Sequence, residues 1–293
     1  MTIWKGKSSV QGGSSIREMD CLADRIRLNR QADRRQVIIV EGPSDKRLLE
    51  RAFPDQDFAY FPAGTRNVAL DASKHLAEWN KDYFVCVVDR DFDDAVAEAS
   101  AACPTIHAYE NADVEAMLSV SRAGVDLLLE MGSVGKIDAR GGACAVISHL
   151  YEILEPISRL RRANVENNWR LAFDAVDLAS KIEKRSMTFR LQPYCMALDR
   201  ESPNSPGAAV IESYATGKSA LDSEPSCPRG SSPYFRGRDF LAILGAALCG
   251  FCGTKRAQSV LVESLAETLR LAGAYEIRDS QWGRELLTLL KQV

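Results

Sequence analysis

Histidine is scarce in this chain, its charges nearly balance, and it has no long apolar run; each shortage removes a class of function. The three histidines among 293 residues, His75, His107 and His149, sit on helical or strand patterns as expected core residues, and no Ser–His–Asp arrangement emerges from their spacing. Net charge is −3, so nucleic-acid binding is not written in the bulk electrostatics and would need a local basic footprint. No apolar stretch reaches the ~18 residues of a membrane span. The opening residues, Met1 to Ser9, lack the apolar core of a signal peptide, and a loose polar lead on a cytoplasmic protein is expected. The eight cysteines are dispersed, as in a reduced chain. One pair, Cys249-Gly250-Phe251-Cys252, has metal-knuckle or redox spacing, but no second pair accompanies it, and a buried helix-end pair is the simpler expectation. Gly132-Ser133-Val134-Gly135-Lys136 lacks the full pattern of a phosphate loop. A hydrophobic fraction of 46% argues against wholesale disorder.

What the chain does have is acid at the ends of apolar runs. Val37-Ile38-Ile39-Val40 runs into Glu41-Gly42-Pro43-Ser44-Asp45, and Val85-Cys86-Val87-Val88 runs into Asp89-Arg90-Asp91-Phe92-Asp93-Asp94. Continuous β-branched runs bounded by turns predict strands buried on both faces, as in a parallel sheet. Further strands are predicted at 58–61 and 105–109, with helices between them, including one from about 67 to 79. Short strand–helix alternation implies right-handed βαβ units. Ligands of such sheets bind at the carboxyl ends of the strands. Glu41 and Asp89 both stand there, and if their strands are neighbours, three to five carboxylates crowd one crevice. Two charges ~4 Å apart repel by about 4 kcal/mol at an effective dielectric of ~20. A hard divalent cation with oxygen ligands is the simplest neutraliser.

Three regions follow: a helical lead (1–35), an α/β block (36–120) and a mostly helical region for substrate or partner recognition (121–293). The arginines of residues 16–35 fit either a solvated helix face or a phosphate-facing patch. Residues 122–190 are expected to be helical. Residues 199–239, rich in Pro, Ser and Gly, are expected to be irregular. Closing helices are predicted from about 238 to 248 and 256 to 272, before a short C-terminal one. The basic stretches 159–162 and 181–190 fit a phosphate track or solvated helices equally well.

Glu-Gly-x-x-Asp after one strand and Asp-x-Asp after a later one form the signature pair of the TOPRIM domain, which this chain resembles over about residues 36–120. Glu41-Gly42-Pro43-Ser44-Asp45 and Asp89-Arg90-Asp91 carry the match. The chain is more closely similar to a DUF-class TOPRIM family often encoded beside ABC-type ATPases, which includes the nuclease-toxin subunit of the PARIS phage-defence system. Asp113-Val114-Glu115-Ala116-Met117-Leu118 matches a third motif of that family in part, departing at Ala116.

The resemblance implies a TOPRIM-type α/β sheet followed by a helical region, and an Mg²⁺- or Mn²⁺-dependent endonuclease. It also implies a nucleic-acid substrate (RNA, particularly tRNA, before DNA) and a toxin role under an ABC-type ATPase partner. Glu41, Asp89 and Asp91 are the expected catalytic residues and first metal ligands. Asp93 and Glu115 are further metal candidates. Arg66, on the Gly64–Asn67 turn, and Lys46 are candidates to steady a phosphate, while Asp45 is expected to cap its helix and Arg90 either binds or structurally neutralises the acids. The helical half also offers surface for a homodimer. Two rival readings remain: a non-catalytic regulatory or assembly subunit, and a haloacid-dehalogenase-type phosphatase with an aspartyl nucleophile.

Overall fold

The first strand pattern, four β-branched residues in a row, becomes β1 (Val37–Val40), buried on both faces. In the computed structural model, which describes residues 21–230 and 233–292, three further strands pair with it in parallel: β2 (Ala59–Pro62), β3 (Phe84–Val88) and β4 (Ile106–Ala108), in the order β2-β1-β3-β4. Helix α1 (Leu22–Ala32) precedes the sheet, and α2 (Pro43–Ala52), α3 (Arg66–Glu78) and α4 (Ala95–Ala102) connect its strands. The chain starts in the middle of the sheet, moves out to β2, and returns across β1 to β3. The strand order therefore reverses between β1 and β3, and that switch point is where open α/β sheets place ligands.

Alternation along the strands divides the core. Ile38, Val40, Val85 and Val87 face α2, whereas Val37, Ile39, Phe84, Cys86 and Val88 face α1, α3 and α4. The arginines of α1 are spent on this second face: Arg27 and Arg30 lie over the rings of Trp79 and Tyr83. Arg35, just beyond the helix, pairs with Asp33 and Asp57. Residues 1–20 of the helical lead lie outside the described residues.

The chain beyond residue 120 covers the first face. Helix α5 (Val114–Ser119) leads into α6 (Arg122–Met131), α7 (Val134–Asp138) and the long α8 (Ala143–Glu166). Helices α9 (Leu191–Glu201), α10 (Ala208–Ala215), α11 (Gly237–Gly250), α12 (Val262–Asp279) and α13 (Gln281–Gln292) complete it. One apolar cluster runs from Ile38 and Val85 through Leu150 and Phe240 to Leu290, so residue 120 does not separate two cores. Among the described residues no helix is long and apolar enough to cross a membrane.

Two expectations are corrected. Helix does not continue to 190. After α8, Asn168 and Arg170 take left-handed backbone (φ 52° and 57°), and the Asn164 side chain accepts the Leu171 amide at 2.7 Å. The chain then forms two 3-10 turns and a small antiparallel ladder, β5 (Ile182–Glu183) with β6 (Thr188–Phe189). Nor is 199–239 wholly irregular, because α10 lies within it, its Ile211 and Ala215 buried. The basic stretch of α8 holds segments together: Arg159 pairs with Glu224, Arg161 with Asp239, and Arg162 with Glu166 and Asp94. Lys136 of the discarded loop motif donates to the Gly250 and Gly253 carbonyls at 3.1 and 2.7 Å, closing the C-terminal end of α11. Cys249 and Cys252 belong to that same helix end, where Cys252 is buried.

Trp282 fastens the C-terminal helix to the sheet. It is fully buried, and its indole Nε1 donates to the Ala108 carbonyl at 2.8 Å. Its ring stacks on His107 and Tyr109, and its carbonyl accepts from His107 Nε2 at 3.0 Å. A carbonyl only accepts, so that histidine nitrogen carries the proton. Trp282→Ala is expected to cost about 3–5 kcal/mol, read by denaturant unfolding. A loss below about 1 kcal/mol would show that α13 contributes little to the fold.

Candidate active site

Every acidic motif lies at the carboxyl edge of the sheet. After β1 the chain turns at Gly42, the N-cap of α2, with Pro43 in the first helical position and Asp45 accepting the Gly42 amide at 3.0 Å. Asp45 thus closes its own helix start, and Tyr109 donates to its other oxygen at 3.2 Å. Glu41 instead points to the neighbouring strand, where its Oε1 accepts the Asp89 amide at 2.8 Å. This bond spans the switch point, because β1 and β3 are adjacent in register, Val40 beside Val87.

Beyond β3 the backbone reverses sharply. Asp91 takes the left-handed conformation (φ 52°), which Asp tolerates better than bulkier residues. Its amide donates to the Ala112 carbonyl at 2.8 Å, and its carbonyl accepts from the Tyr234 hydroxyl. Arg66 reaches over from the start of α3, pairs with Asp91 Oδ2 at 3.1 Å, and also pairs with Asp93. Asp93, one residue before the N-cap of α4, accepts the Ala95 amide at 3.1 Å. Arg90 donates to the Tyr109 carbonyl at 3.1 Å.

The turn after β4 adds Asp113, which sequence reasoning named only as the first residue of the partly matched third motif. Its buried carboxylate accepts the Ala116 amide at 2.7 Å, capping α5, and the Gly237 amide from α11 at 2.9 and 3.1 Å. It stands five residues beyond the end of β4, as the N-cap of α5, whereas Asp89 follows β3 directly. Glu115 lies beside it and pairs with Arg270 of α12.

Asp89, Asp91, Asp113 and Glu115 line a cleft of ≈ 460 Å³, with Arg236, Arg238 and Arg270 among the residues of the helical half opposite. No sequence signal marked these arginines, because only folding brings residues 236–270 to the sheet edge. Lys46 is not brought to the cleft; it lies by Glu50 at 3.7 Å on the surface of α2. Asp93 with Arg66 faces the adjoining hollow.

Burial dominates the electrostatics. It raises Glu41 to about 7, with Asp45 and Asp91 adding repulsion against the pull of the Asp89 amide. Asp113 is raised to about 7 by burial and by Glu115, against its amide bonds. Burial also pushes Asp89 well above its ordinary value, and the charges bearing on it, Asp113, Glu41, Asp45 and Asp91, are all of its own sign. Asp91 is raised by burial and eased by Arg66.

The sign of the pH dependence follows. Glu41 and Asp113 start from ordinary values of 4.5 and 3.8 and rise to about 7 in the fold. Between those limits the native state binds more protons than the unfolded one, so stability falls as pH rises and the full penalty is present above about 7. In EDTA, Tm is expected to drop from pH 5 to pH 8, by about 2–4 °C for each kcal/mol lost in a domain of this size. Mg²⁺ added at pH 8 is expected to restore it. A flat Tm across that range in EDTA would refute the crowding of charge.

The donor set suits a hard divalent cation in its chemistry, with carboxylate oxygens and same-sign charge bearing on Asp89. Among the described residues no three acidic, thiol or imidazole groups stand at metal-binding separation. Four of the five candidate donors are otherwise engaged: Asp91 and Asp93 by Arg66, Glu115 by Arg270, and Glu41 by the Asp89 amide.

Fold and site define a parallel α/β protein with an acid-lined crevice at the carboxyl edge of its sheet. No family model, curated protein or solved structure matches the chain.

Proposed function

We propose that the protein is a metal-dependent endonuclease of TOPRIM type, hydrolysing phosphodiester bonds at this crevice. One observation carries the reading: Glu41 and Asp89, one from each strand at the switch point, are joined by a hydrogen bond, with Asp45, Asp91 and Asp113 close enough to bear on Asp89. Asp89 and Asp91 would hold Mg²⁺ or Mn²⁺, with Asp113 and Glu115 close at hand. When bound, the cation supplies an activated water and neutralises charge developing on the leaving oxygen. Glu41 Oε2, the oxygen not engaged by the Asp89 amide, moves the proton, and its raised value suits transfer near neutral pH. The Asp89 amide orients Glu41 for that work. Arg66, already paired with two aspartates, holds the Asp91 loop in place.

RNA, tRNA in particular, is the favoured substrate. The biological role is that of a toxic effector in phage defence, held in check by an ABC-type ATPase in the cytoplasm. The signature residues Glu41, Asp45, Asp89 and Asp91 support that part by resemblance. The phosphatase reading fits less well, because its aspartyl nucleophile belongs after the first strand and the Asp-x-Asp here follows β3.

The test is cleavage of labelled tRNA, single-stranded RNA and plasmid DNA in Mg²⁺, Mn²⁺ or EDTA, beside Glu41→Gln. Metal-dependent cutting lost in the variant is the expected outcome. Cutting that survives EDTA would end the metal reading. No cutting with or without the ATPase partner would favour a regulatory or assembly subunit.

A further inference from the structure

The cleft lies between the sheet edge and the helical half, and both signs of charge line it. On the sheet side and along α12 stand six carboxylates, Asp89, Asp91, Asp113, Glu115, Glu263 and Glu267. Three guanidiniums oppose them, Arg236 and Arg238 at the start of α11 and Arg270 on α12. We infer that these three arginines clamp the phosphates flanking the scissile linkage, and that the acid excess makes nucleic-acid binding depend on prior occupation of the cleft by a divalent cation. This deepens the nuclease reading and rests on it only for where the bond is cut.

Geometry supports the clamp. Gly237, between Arg236 and Arg238, donates its amide to Asp113 at 2.9 and 3.1 Å. That contact fixes the two arginines on either side of a point in the acid cluster. Both are only loosely committed. Arg236 pairs with Asp174 at 2.8 Å and Arg238 with Glu263 at 2.8 Å, and the acidic partners are 73% and 65% exposed. Exposed pairs of this kind contribute about 0–1 kcal/mol, so a phosphate, which takes two parallel guanidinium bonds, displaces the carboxylate. Arg270 is held more firmly, with both it and Glu115 mostly buried. It acts as the inner jaw, and engaging a phosphate requires it to leave Glu115.

The charge arithmetic supplies the order of events. Even with Asp89 and Asp113 holding protons, four acids face three arginines, so the cleft stays negative and repels a polyanion until a cation is bound. Metal and nucleic acid then bind with positive coupling, each raising the affinity of the other by the same factor.

The test uses the full-length Glu41→Gln protein, so that binding is read without cleavage, with fluorescent single-stranded RNA and DNA in Ca²⁺ or EDTA. EDTA is expected to weaken binding by at least about tenfold. Adding Arg236→Gln with Arg238→Gln, or Arg270→Gln, is expected to weaken Ca²⁺-supported binding about fivefold to tenfold. Each arginine removed should lower the slope of log affinity against log salt by about 0.7. The Ca²⁺-induced rise in Tm stays at the value of the Glu41→Gln parent, because the arginine changes leave Asp89 and Asp91 in place. Glu115→Gln, which frees Arg270, should tighten binding, an effect a purely structural pair would not give. Unchanged affinity and salt slope in the arginine variants, or equal binding in EDTA, overturns the inference, as does failure to bind either probe. Tight, arginine-dependent binding by a wild-type protein that never cuts would sink the nuclease reading and leave the clamp standing.

Discussion

Glu41→Gln is expected to abolish cleavage while leaving the metal-free protein as stable as before or more so. Glutamine keeps the volume of the side chain and its Oε1, so the 2.8 Å bond from the Asp89 amide persists. What disappears is a proton-transfer group, an effect of about 10²–10⁴ in rate, together with one negative charge among Asp45, Asp89 and Asp91. Removing that charge relieves repulsion on Asp89, so Tm in EDTA at pH 8 should rise or hold, and its dependence on pH should weaken. The rise in Tm on adding Mg²⁺ should shrink, since a donor carboxylate is gone. Function and stability thus move in opposite directions at one residue, the mark of a site that holds strain for chemistry. Activity within about threefold of wild type would remove Glu41 from the mechanism. A sharp fall in Tm would show that it serves the fold instead, and Asp89→Asn would then be the remaining test of the cluster.

How much of this was legible depended on range. Strands announced themselves because a parallel sheet buries both faces, leaving unbroken runs such as Val37–Val40 and Phe84–Val88. The crevice was legible for the same reason, since an acid after a buried run must lie at a strand's carboxyl end. The sequence left the pairing of β1 with β3 conditional, and hydrogen bonding between strands decides it. Helix α10 escaped notice among Ser, Pro and Gly because its stability comes from packing on α8 and α9, which local propensity does not encode. The far wall of the cleft was hidden altogether. Arg236, Arg238 and Arg270 read as ordinary surface charge until the chain returns from 120 residues away to the β4–α5 turn. Lys46 erred the other way: near Glu41 in sequence, it lies on the outer surface of α2.

That return of the chain hangs on one glycine, and Gly237→Ala is expected to disable both fold and site. A Cβ at 237 would stand 2.4 Å from Glu115 Cβ, 2.5 Å from the Ala116 amide nitrogen and 2.5 Å from Asp113 Oδ1. Two of those atoms cannot yield by rotating a side chain, because they belong to the first turn of α5 and its Cβ stem. The start of α11 must therefore back away, breaking the bonds from Gly237 to Asp113 and the neighbouring ones from Asn111 to the Pro233 carbonyl and from the Phe235 amide to Asn111. Overpacking of this kind costs about 1–3 kcal/mol, and each lost cap bond adds roughly 1 kcal/mol. Denaturant unfolding is expected to show a loss of about 3 kcal/mol. Asp113→Asn serves as the partner experiment, keeping an acceptor for one helix while removing the charge that serves two. Its loss of stability should be smaller, because Asn adds no atom to the contact, whereas a methyl group on residue 237 has no room there. If Gly237→Ala folds with wild-type stability and binds nucleic acid normally, α11 does not approach α5 as closely as these distances require. The second wall of the cleft would then have to be sought elsewhere. If instead it folds, weakened, and loses RNA binding while Mg²⁺ still raises its Tm, the sheet edge holds the metal alone and the helical half supplies the grip on the substrate.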